Sequence, residues 1–554
     1  MKKLISLVSL LFVLSAFVFG QRTTGNVEGT VVDPQGAVIP GASVTLQSVG
    51  TTAGYKLTVT TNSEGRFFFS QVPVGTYTIT VSKEGFANKS VEVTVALDRV
   101  VTSNITLEVG GVAGEITVTT DSTVTVDPGN TKIDISITKR VIEELPKGTQ
   151  FSTLLKIAPN VRPEALNAGF QIDGASGAEN VFVVDGQEVT NFRTGQLNAN
   201  FNLPFDLVQE VQIKSTGYEA EYGGATGGVI NVITVGGNND YHGTFGISLT
   251  PAKLQGSPRN FLNRYGPSTG QYEYFKPPKD GGVGYFPTTQ LTGPVFKNKL
   301  WFSATYSPLI SEPVRTIDYF TTGSNPNGRA VSETIKYNQT VKQEYALLRL
   351  DTQPTNNIRA YVTYLWNPII QKGVLPASTE GLAGAPQAAN FGPPIGVLRG
   401  ADFLGQQGGR QNANAINGQI TWTPISKFVI NVRSGRSFLN EKLNSYGLPR
   451  ITRFICNASG TPQNVPGSGC TPGFQNIANN FQINYDVSTR TTLDADANVV
   501  GINFFGSHNI KFGYQYNRLF NTVDQGYKDL GIVVLYYNIP INAIGAPVLQ
   551  PQVI

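Results

Sequence analysis

The sequence has little charge and few of the residues that bind metals. Of its 554 residues only 14% are charged, and it contains 2 histidines, 2 cysteines and 1 methionine. The histidines, His242 and His508, have neither the spacing nor the helical context of a zinc site, which argues against a metalloenzyme. The net charge is only +4 and there is no run of basic residues, so nucleic acid is not an expected partner. We expect no cofactor.

Long apolar runs are also absent beyond the N-terminus. Lys2 and Lys3 precede an apolar stretch over 4–19 that ends at Gly20, which is typical of a secretory signal. A membrane anchor, the alternative, needs about 20 apolar residues, and polar Gln21 follows this shorter stretch at once. We therefore predict a signal peptide over 1–20. A mature protein that resides in a membrane would have to do so as a barrel, because only helices and closed barrels satisfy the backbone in lipid.

What the sequence does contain favours strands and turns. Glycine (60), phenylalanine (31) and tyrosine (22) are abundant, as expected of a mainly β protein. The length exceeds what one hydrophobic core supports, which is about 250 to 300 residues. We therefore predict a mainly β fold of several domains.

Residues 22–110 contain seven short runs of β-forming residues that end at turn signals, which predicts a β-sandwich. The segment resembles the carboxypeptidase regulatory-like domain at Gly29, Val31, Asp33, Gly36, Pro40, Gly41, Asn62, Gly65, Phe67, Phe69, Pro73, Gly75 and Tyr77. Such a domain is an appendage of carboxypeptidases and is not catalytic. Its aromatic residues could stack on sugars, but their alternation places them on one face and favours the core.

Residues 111–240 contain two short motifs in which a predicted strand ends at Asp-Gly. A third motif ends in two glycines followed by an apolar run. The residues concerned are Asp173, Gly174, Asp185, Gly186, Glu219, Glu221, Tyr222, Gly223, Gly227 and Gly228. The series resembles the plug domain of TonB-dependent transporters, particularly the Oar-like group, which carries a regulatory-like domain in front. We interpret Asp-Gly as turn chemistry and not as catalytic carboxylates, and we predict no catalytic residue and no enzyme.

A short extended segment lies where this family places its TonB-contacting strand. It comprises Glu115, Ile116, Thr117, Val118 and Thr119. TonB would bind such a segment by strand addition, in which main-chain hydrogen bonds supply the affinity and few specific side chains are needed. An ordinary linker strand is the alternative, and the residues do not choose between the two.

Residues 241–554 alternate tight turns with long loops, as outer-membrane barrels do. Ile510, Phe512, Tyr514 and Tyr516 alternate with polar neighbours, so one face would meet lipid and the other a wet interior. We count about ten strands where plugged barrels have about 22. The segment is therefore expected to be the N-terminal part of a barrel, and the chain incomplete.

The two cysteines, Cys456 and Cys470, flank a stretch rich in glycine and proline. In an exported protein an even, close pair predicts a disulfide.

Taken with the resemblance, these features imply an outer-membrane transporter or receptor whose N-terminal domain lies in the periplasm. Its expected partners are TonB, outer-membrane lipid and an extracellular ligand of unknown type, with carbohydrate among the candidates. An alternative is a surface protein that adheres or binds carbohydrate and uses the barrel as an anchor.

Overall fold

The computed structural model describes residues 23–49, 52–110, 116–119, 133–145, 148–164, 169–218, 222–265, 271–320, 331–376, 378, 405, 408–425, 428–443, 453–456, 482–503, 507–527 and 532–535. The predicted signal peptide, Glu115, Glu219, Glu221 and Cys470 lie outside these ranges. Over the described part of the chain, no helix has the length and apolar character needed to cross a membrane.

The first domain is a sandwich of two sheets. Its strands are β1 (Thr24–Val32), β2 (Ser43–Ser48), β3 (Lys56–Thr60), β4 (Arg66–Pro73), β5 (Gly75–Ser82), β6 (Lys89–Val95), β7 (Val100–Thr102), β8 (Ile105–Thr106) and β9 (Ile116–Thr119). One sheet has the order β4-β1-β7 with β8 beside β1, and the other has the order β3-β2-β5-β6-β9. The core lies between them and includes Phe67, Phe69 and Tyr77, which are at most 3% exposed. The prediction that these rings are core residues is confirmed.

The middle domain is a five-stranded sheet with short helices. Its elements are β10 (Ile133–Thr138), α1 (Lys139–Glu144), β11 (Val161–Pro163), β12 (Phe170–Ile172), β13 (Val181–Val184), β14 (Gln187–Glu188), β15 (Val208–Thr216) and β16 (Val229–Thr234), with 3-10 helices at Phe151–Ile157, Gly177–Glu179, Ala199–Phe201 and Phe205–Leu207. The sheet order is β10-β15-β16-β13-β14, and β11 pairs with β12. β16 is buried along its whole length and lies between β15 and β13 in the interior of the sheet.

A large antiparallel sheet follows. The part of the protein that forms this sheet contains the strands β17 (His242–Pro251), β18 (Phe261–Tyr265), β19 (Gln271–Phe275), β20 (Gly281–Phe296), β21 (Leu300–Tyr306), β22 (Leu309–Phe320), β23 (Val331–Asn338), β24 (Thr340–Gln343), β25 (Ala346–Thr355), β26 (Ile358–Trp366), β27 (Ile369–Lys372), β28 (Gly408–Ile425), β29 (Phe428–Leu443), β30 (Arg453–Cys456), β31 (Gln482–Asn503), β32 (Ser507–Tyr527) and β33 (Ile532–Leu535). β18 pairs with β19 and β30 with β33, outside the sheet. We call this large sheet the wall.

The polarity of the wall is the reverse of a soluble sheet. Its buried face carries polar residues, among them Gln419, Asn431, Arg433 and Asp496, each at most 4% exposed. Its outer face carries large apolar side chains, among them Ile420, Trp422, Phe512 and Tyr514, each between 46% and 54% exposed. An apolar exterior around a polar interior is the arrangement of a transmembrane barrel. The partial barrel expected from the sequence is confirmed, with the predicted faces.

The disulfide stays a prediction. Cys456 ends the short strand β30, and its proposed partner lies outside the described residues.

Candidate functional site

The middle domain contacts the wall through a tight turn between β13 and β14. Asp185 and Gly186 have φ of 46° and 79°, and positive φ at both central residues is the geometry that Asp-Gly supports best in a two-residue hairpin. The turn prediction is confirmed. Asp185 is nevertheless only 4% exposed, so its carboxylate is a buried group with surroundings of its own.

That carboxylate joins two strands of different domains. Within the middle domain it accepts hydrogen bonds from the Thr234 backbone N–H at 2.9 Å and from the Thr234 hydroxyl at 2.6 Å. Across the interface it pairs with Arg349 of β25 at 3.3 Å. Burial raises the pKa of Asp185, while the neighbouring Arg349 charge acts in the opposite direction. A buried pair of this kind is strongly destabilised when one partner is removed, because the other charge is left uncompensated.

Arg349 is the centre of a wider network on the wall. It also pairs with Asp351 at 2.9 Å, and Asp351 in turn pairs with Arg359 at 3.4 Å. The Arg349 guanidinium lies 4.4 Å from the centre of the Tyr361 ring, and the Tyr361 hydroxyl donates to the Asp185 carbonyl at 3.0 Å. The turn is therefore held through both its side chain and its backbone.

Polar contacts bind the middle domain to the wall at other points as well. Asn200 and Asn367 each donate an amide N–H to the carbonyl of the other, at 2.7 and 2.6 Å. Glu188 pairs with Arg490 of β31 at 2.7 Å. The contacts run from β25 to β31, so the wall surrounds the domain on several sides.

One part of the interface is apolar. Leu309, Leu347 and Leu365 of the wall, together with the Tyr345 ring, belong to the same hydrophobic cluster as the core of the middle domain. We call these four residues the apolar patch. The core of the domain continues into the wall here, and Ala415 of β28 belongs to the same cluster.

The other Asp-Gly motif forms the same kind of turn, on an exposed part of the middle domain. Asp173 and Gly174 have φ of 50° and 86°. The Asp173 carboxylate is exposed and accepts a hydrogen bond from the Asn160 amide at 2.8 Å. Within the described part of the chain, the Asp173 carboxylate bonds to its own domain and makes no hydrogen bond or ion pair with the wall.

The remaining described residues of the predicted motif serve close packing. Tyr222 is 3% exposed, and its ring centre lies 4.6 Å from the Lys214 ammonium. Gly223 lies in the turn that follows. A Cβ at Gly227 would lie 2.6 Å from the Asn180 Oδ1, and one at Gly228 would lie 2.5 Å from a methyl carbon of Ile172. We find no cluster of metal-ligating residues in the part of the chain that the structure covers.

The described part of the candidate TonB-contacting segment, Ile116–Thr119, is a strand that pairs with the sandwich. β9 lies parallel to β6, with Ile116 opposite Lys89 and Thr119 opposite Glu92. It forms the edge of the second sandwich sheet. Short parallel pairings are set by long-range topology, so no local pattern in the sequence indicates this one.

Sequence reasoning missed the charged partners of the motif. Arg349 and Asp351 alternate with Leu348 and Leu350 along β25, and this alternation was a usable signal, since charges at alternate positions of an apolar strand mark the polar face of a barrel. Their pairing with Asp185 was not readable, because the partners are 164 residues apart.

Comparison with known families agrees with this arrangement. The model of the TonB-dependent receptor plug domain matches residues 128–229. The chain contains a TonB-dependent receptor plug. The carboxypeptidase regulatory-like domain model matches residues 26–108, which lie in the sandwich. Both resemblances drawn from the sequence are thereby confirmed, and the middle domain is called the plug from here on.

One curated relative is similar to this chain in sequence and is much longer than it. The chain is 32% identical over 302 residues to the TonB-dependent transporter Oar of Myxococcus xanthus. The match covers 52% of this chain and 27% of the relative, so the chain matches about a quarter of that protein's length.

Solved structures of outer-membrane receptors are also similar. The outer membrane transporter YddB of Escherichia coli is 15% identical with a TM-score of 0.42, over 71% of this chain and 54% of that one. The siderophore receptor PirA of Acinetobacter baumannii is 15% identical with a TM-score of 0.45, over 69% and 47%.

Proposed function

We propose that this chain is part of a TonB-dependent transporter or receptor of the bacterial outer membrane, in which the plug gates a barrel. The observation that supports this most directly is a plug domain that several strands of a sheet surround, with the polar face of the sheet toward the plug and the apolar face outward. Outer-membrane lipid is the medium that such an outer face requires. The sandwich would lie on the periplasmic side.

TonB is the proposed energy-coupling partner, and β9 is the proposed point of contact. A strand at a sheet edge has one row of unpaired backbone groups, which suits capture by strand addition. Force applied at β9 reaches the plug through the chain that leads to β10, the edge strand of the plug sheet. The plug needs no catalytic residue for this task, because displacement of a domain is its whole contribution.

The proposed ligand is an extracellular compound. A siderophore and a carbohydrate are the two candidates to compare: the first appears in the description of the similar receptor PirA, and the second follows from the sandwich resemblance. The burial of Phe67, Phe69 and Tyr77 removes these rings from any sugar-binding surface, which favours ligand binding elsewhere. An adhesive or carbohydrate-binding surface protein anchored by the barrel is the alternative function.

Growth of a deletion strain tests the proposal. The strain would be compared with its parent on defined iron and carbon sources, with and without TonB. We expect a growth defect on one source that a TonB deletion reproduces. Normal growth on all sources, together with lost adhesion, would instead support the surface-protein alternative.

Proline substitution in β9 tests the point of contact. Ile116→Pro or Val118→Pro removes a backbone donor and fixes φ, so each should abolish uptake while ligand binding persists. Ile116→Val and Val118→Ile keep the strand and serve as matched controls. Uptake at the normal rate in both proline variants would show that TonB engages another segment.

A further inference from the structure

The sandwich meets the wall at the start of β3, and a cavity lies beside that contact. The Arg359 guanidinium of β26 donates to the Gly54 carbonyl at 2.8 Å, and the Gln353 amide of β25 donates to the Lys56 carbonyl at 3.2 Å. Lys56 is the first residue of β3. The strand continues from this contact along the cavity, so one of its edges faces the wall across an open space.

β3 is an edge strand whose outer backbone groups lie open. It lies at one end of its sheet and pairs with β2 alone. The Tyr55 carbonyl just before the strand and the Thr61 N–H just after it both bond toward β2. Because successive residues of an antiparallel strand direct their N–H and C=O groups to opposite sides, those of Thr58 and Thr60 point away from β2. Within the described part of the chain, these groups have no hydrogen-bond partner on that side.

This edge lacks the usual protection against pairing. Natural edge strands are blunted by charged side chains, proline, a bulge or a covering segment. β3 reads Lys-Leu-Thr-Val-Thr, so its one charge is at its first residue, and its register with β2 is regular. A regular, unpaired edge of this composition is a template for one more strand.

The cavity opposite this edge has the size of a short extended chain. Its volume is about 280 Å³, near the lower end of the range of about 300 to 1,000 Å³ that is typical of ligand sites. One added strand needs about 4.8 Å beyond the edge, whereas a second packed layer needs about 10 Å. The space therefore admits a few residues of extended chain. It excludes a folded domain, and it excludes a second copy of β3 that brings its own wall.

The lining of the cavity is apolar on both sides of the gap. The sandwich contributes Leu57, Val59 and Phe68, and the wall contributes Ile358 and Ile425. Ile425, the last residue of β28, is 64% exposed. Uncovered apolar side chains around a recess mark a binding surface. An occupant with apolar side chains at alternate positions covers them while its backbone pairs with β3.

The free charge beside the edge is basic. Among the described residues that line the cavity, Arg359 is the only charged one, and it already pairs with Asp351 at 3.4 Å. Lys56 is exposed, and within the described part of the chain its ammonium forms no ion pair. A carboxylate on the occupant therefore meets a cation at this end of the edge and no acidic side chain in the described lining.

We propose that the free edge of β3 is a docking site for an extended, acidic peptide segment of a periplasmic partner, which adds as a further strand to the sandwich sheet. Main-chain hydrogen bonds to Thr58 and Thr60 hold the segment, and its apolar side chains enter the cavity. The periplasmic location of the partner rests on the proposed function. β9 lies at the opposite edge of the same sheet, so this site and the proposed TonB contact do not compete.

Labelled peptides test the site on the purified full-length protein in detergent. The probe is a fluorescein-labelled Glu-Val-Thr-Val-Thr-Val-Glu peptide, and its binding is followed by fluorescence anisotropy. Two further probes are N-methylated, one at the valine amides and the other at the remaining amides. In strand addition only one of these sets faces the edge, so we expect one methylated probe to bind at least tenfold more weakly than the other.

Variants of the edge locate the site on the protein. Thr58→Pro removes an outward N–H without breaking a bond to β2, so it should weaken binding of the unmethylated probe at least tenfold. Thr58→Val keeps the donor and should bind as the parent does. Lys56→Glu should weaken binding about threefold at low salt. Ile116→Pro, at the proposed TonB contact, should bind the probe normally.

Several results would overturn the docking site. They are no binding of the probe, equal binding of the two methylated probes, and normal binding by Thr58→Pro. The methylated probes use the unaltered protein, so they decide the question even if the proline variant does not fold. A dimer in sedimentation that Thr58→Pro abolishes would show that β3 pairs with a second copy instead.

The outcome is separable from that of the proposed function, because no measurement involves uptake. A probe that binds as expected, in a protein whose strain shows no TonB-dependent growth, would disprove the transporter and leave the docking site standing. A probe that fails to bind, in a protein whose strain does show such growth, would do the reverse.

Discussion

The plug contains the same short motif twice, an apolar residue followed by Asp-Gly, and the two copies differ in what surrounds the aspartate. Ile172-Asp173-Gly174 and Val184-Asp185-Gly186 both end a strand in a turn with two positive φ values. The first aspartate is exposed and bonds to a neighbour in its own domain, while the second is buried against an arginine of the wall. Local sequence therefore determines the turn, and only the surrounding fold determines whether its carboxylate joins two domains.

Replacing the buried aspartate should have the largest effect. Asp185→Ala leaves Arg349 partly unpaired in a buried site, and breaking a buried pair in this way costs about 3 to 5 kcal/mol. The measurement is hydrogen exchange at the amides of β13 and β16, where faster exchange is expected. Asp185→Asn keeps an acceptor for the Thr234 N–H and should be intermediate. Unchanged exchange in the alanine variant would mean that the network contributes nothing to plug stability.

Glu210 extends the comparison to a carboxylate that faces the sandwich. Burial raises its pKa to about 7, against a smaller opposing effect of the Leu97 N–H. A raised pKa contributes stability that is complete below about pH 4.5 and is lost as the pH rises through about 7, a change of about 3 kcal/mol.

The urea midpoint of sandwich and plug unfolding should therefore fall between pH 5 and pH 8. In Glu210→Gln the side chain is neutral throughout, so the fall should be much smaller. An equal fall in both proteins would assign the pH dependence to other groups.

Alanine substitutions at the two turn glycines should have a smaller effect on stability, and the two variants should differ from each other. Gly186→Ala and Gly174→Ala each force a side chain into the left-handed region, at about 1 to 2 kcal/mol. A Cβ at Gly186 also meets Arg433 and Thr23 at 3.3 Å, whereas one at Gly174 meets nothing within 4 Å. Chemical denaturation should rank Gly186→Ala as the less stable variant, and the reverse order would be inconsistent with the buried position of its turn.

Asp173→Ala should have the smallest effect. It removes an exposed hydrogen bond to Asn160, which is worth about 1 kcal/mol or less. Hydrogen exchange in β12 should change slightly and that in β16 not at all. A loss as large as that of Asp185→Ala would show that the two turns are equivalent after all.

The turns, the sandwich core and the two faces of the wall were readable from the sequence because each depends on neighbours within a few residues. Phe67 and Phe69 alternate, and Asp-Gly specifies its own backbone geometry. The partners of the buried charges were not readable in this way. Lys214 pairs with Asp98 from 116 residues away, and the choice of partner is made by how the domains assemble. The pairing of β9 with β6 is of the same kind.

The apolar patch makes the interface between the plug and the wall uneven in polarity. Around most of the interface the plug is held by polar groups, and each bond that it gives up can be remade with water. At Leu309, Tyr345, Leu347 and Leu365 no such exchange is possible, because water cannot replace apolar contact without a hydrophobic penalty. A pulled plug should therefore tilt about this patch as a pivot, with the polar side lifting first, and should not slide out evenly along the barrel axis.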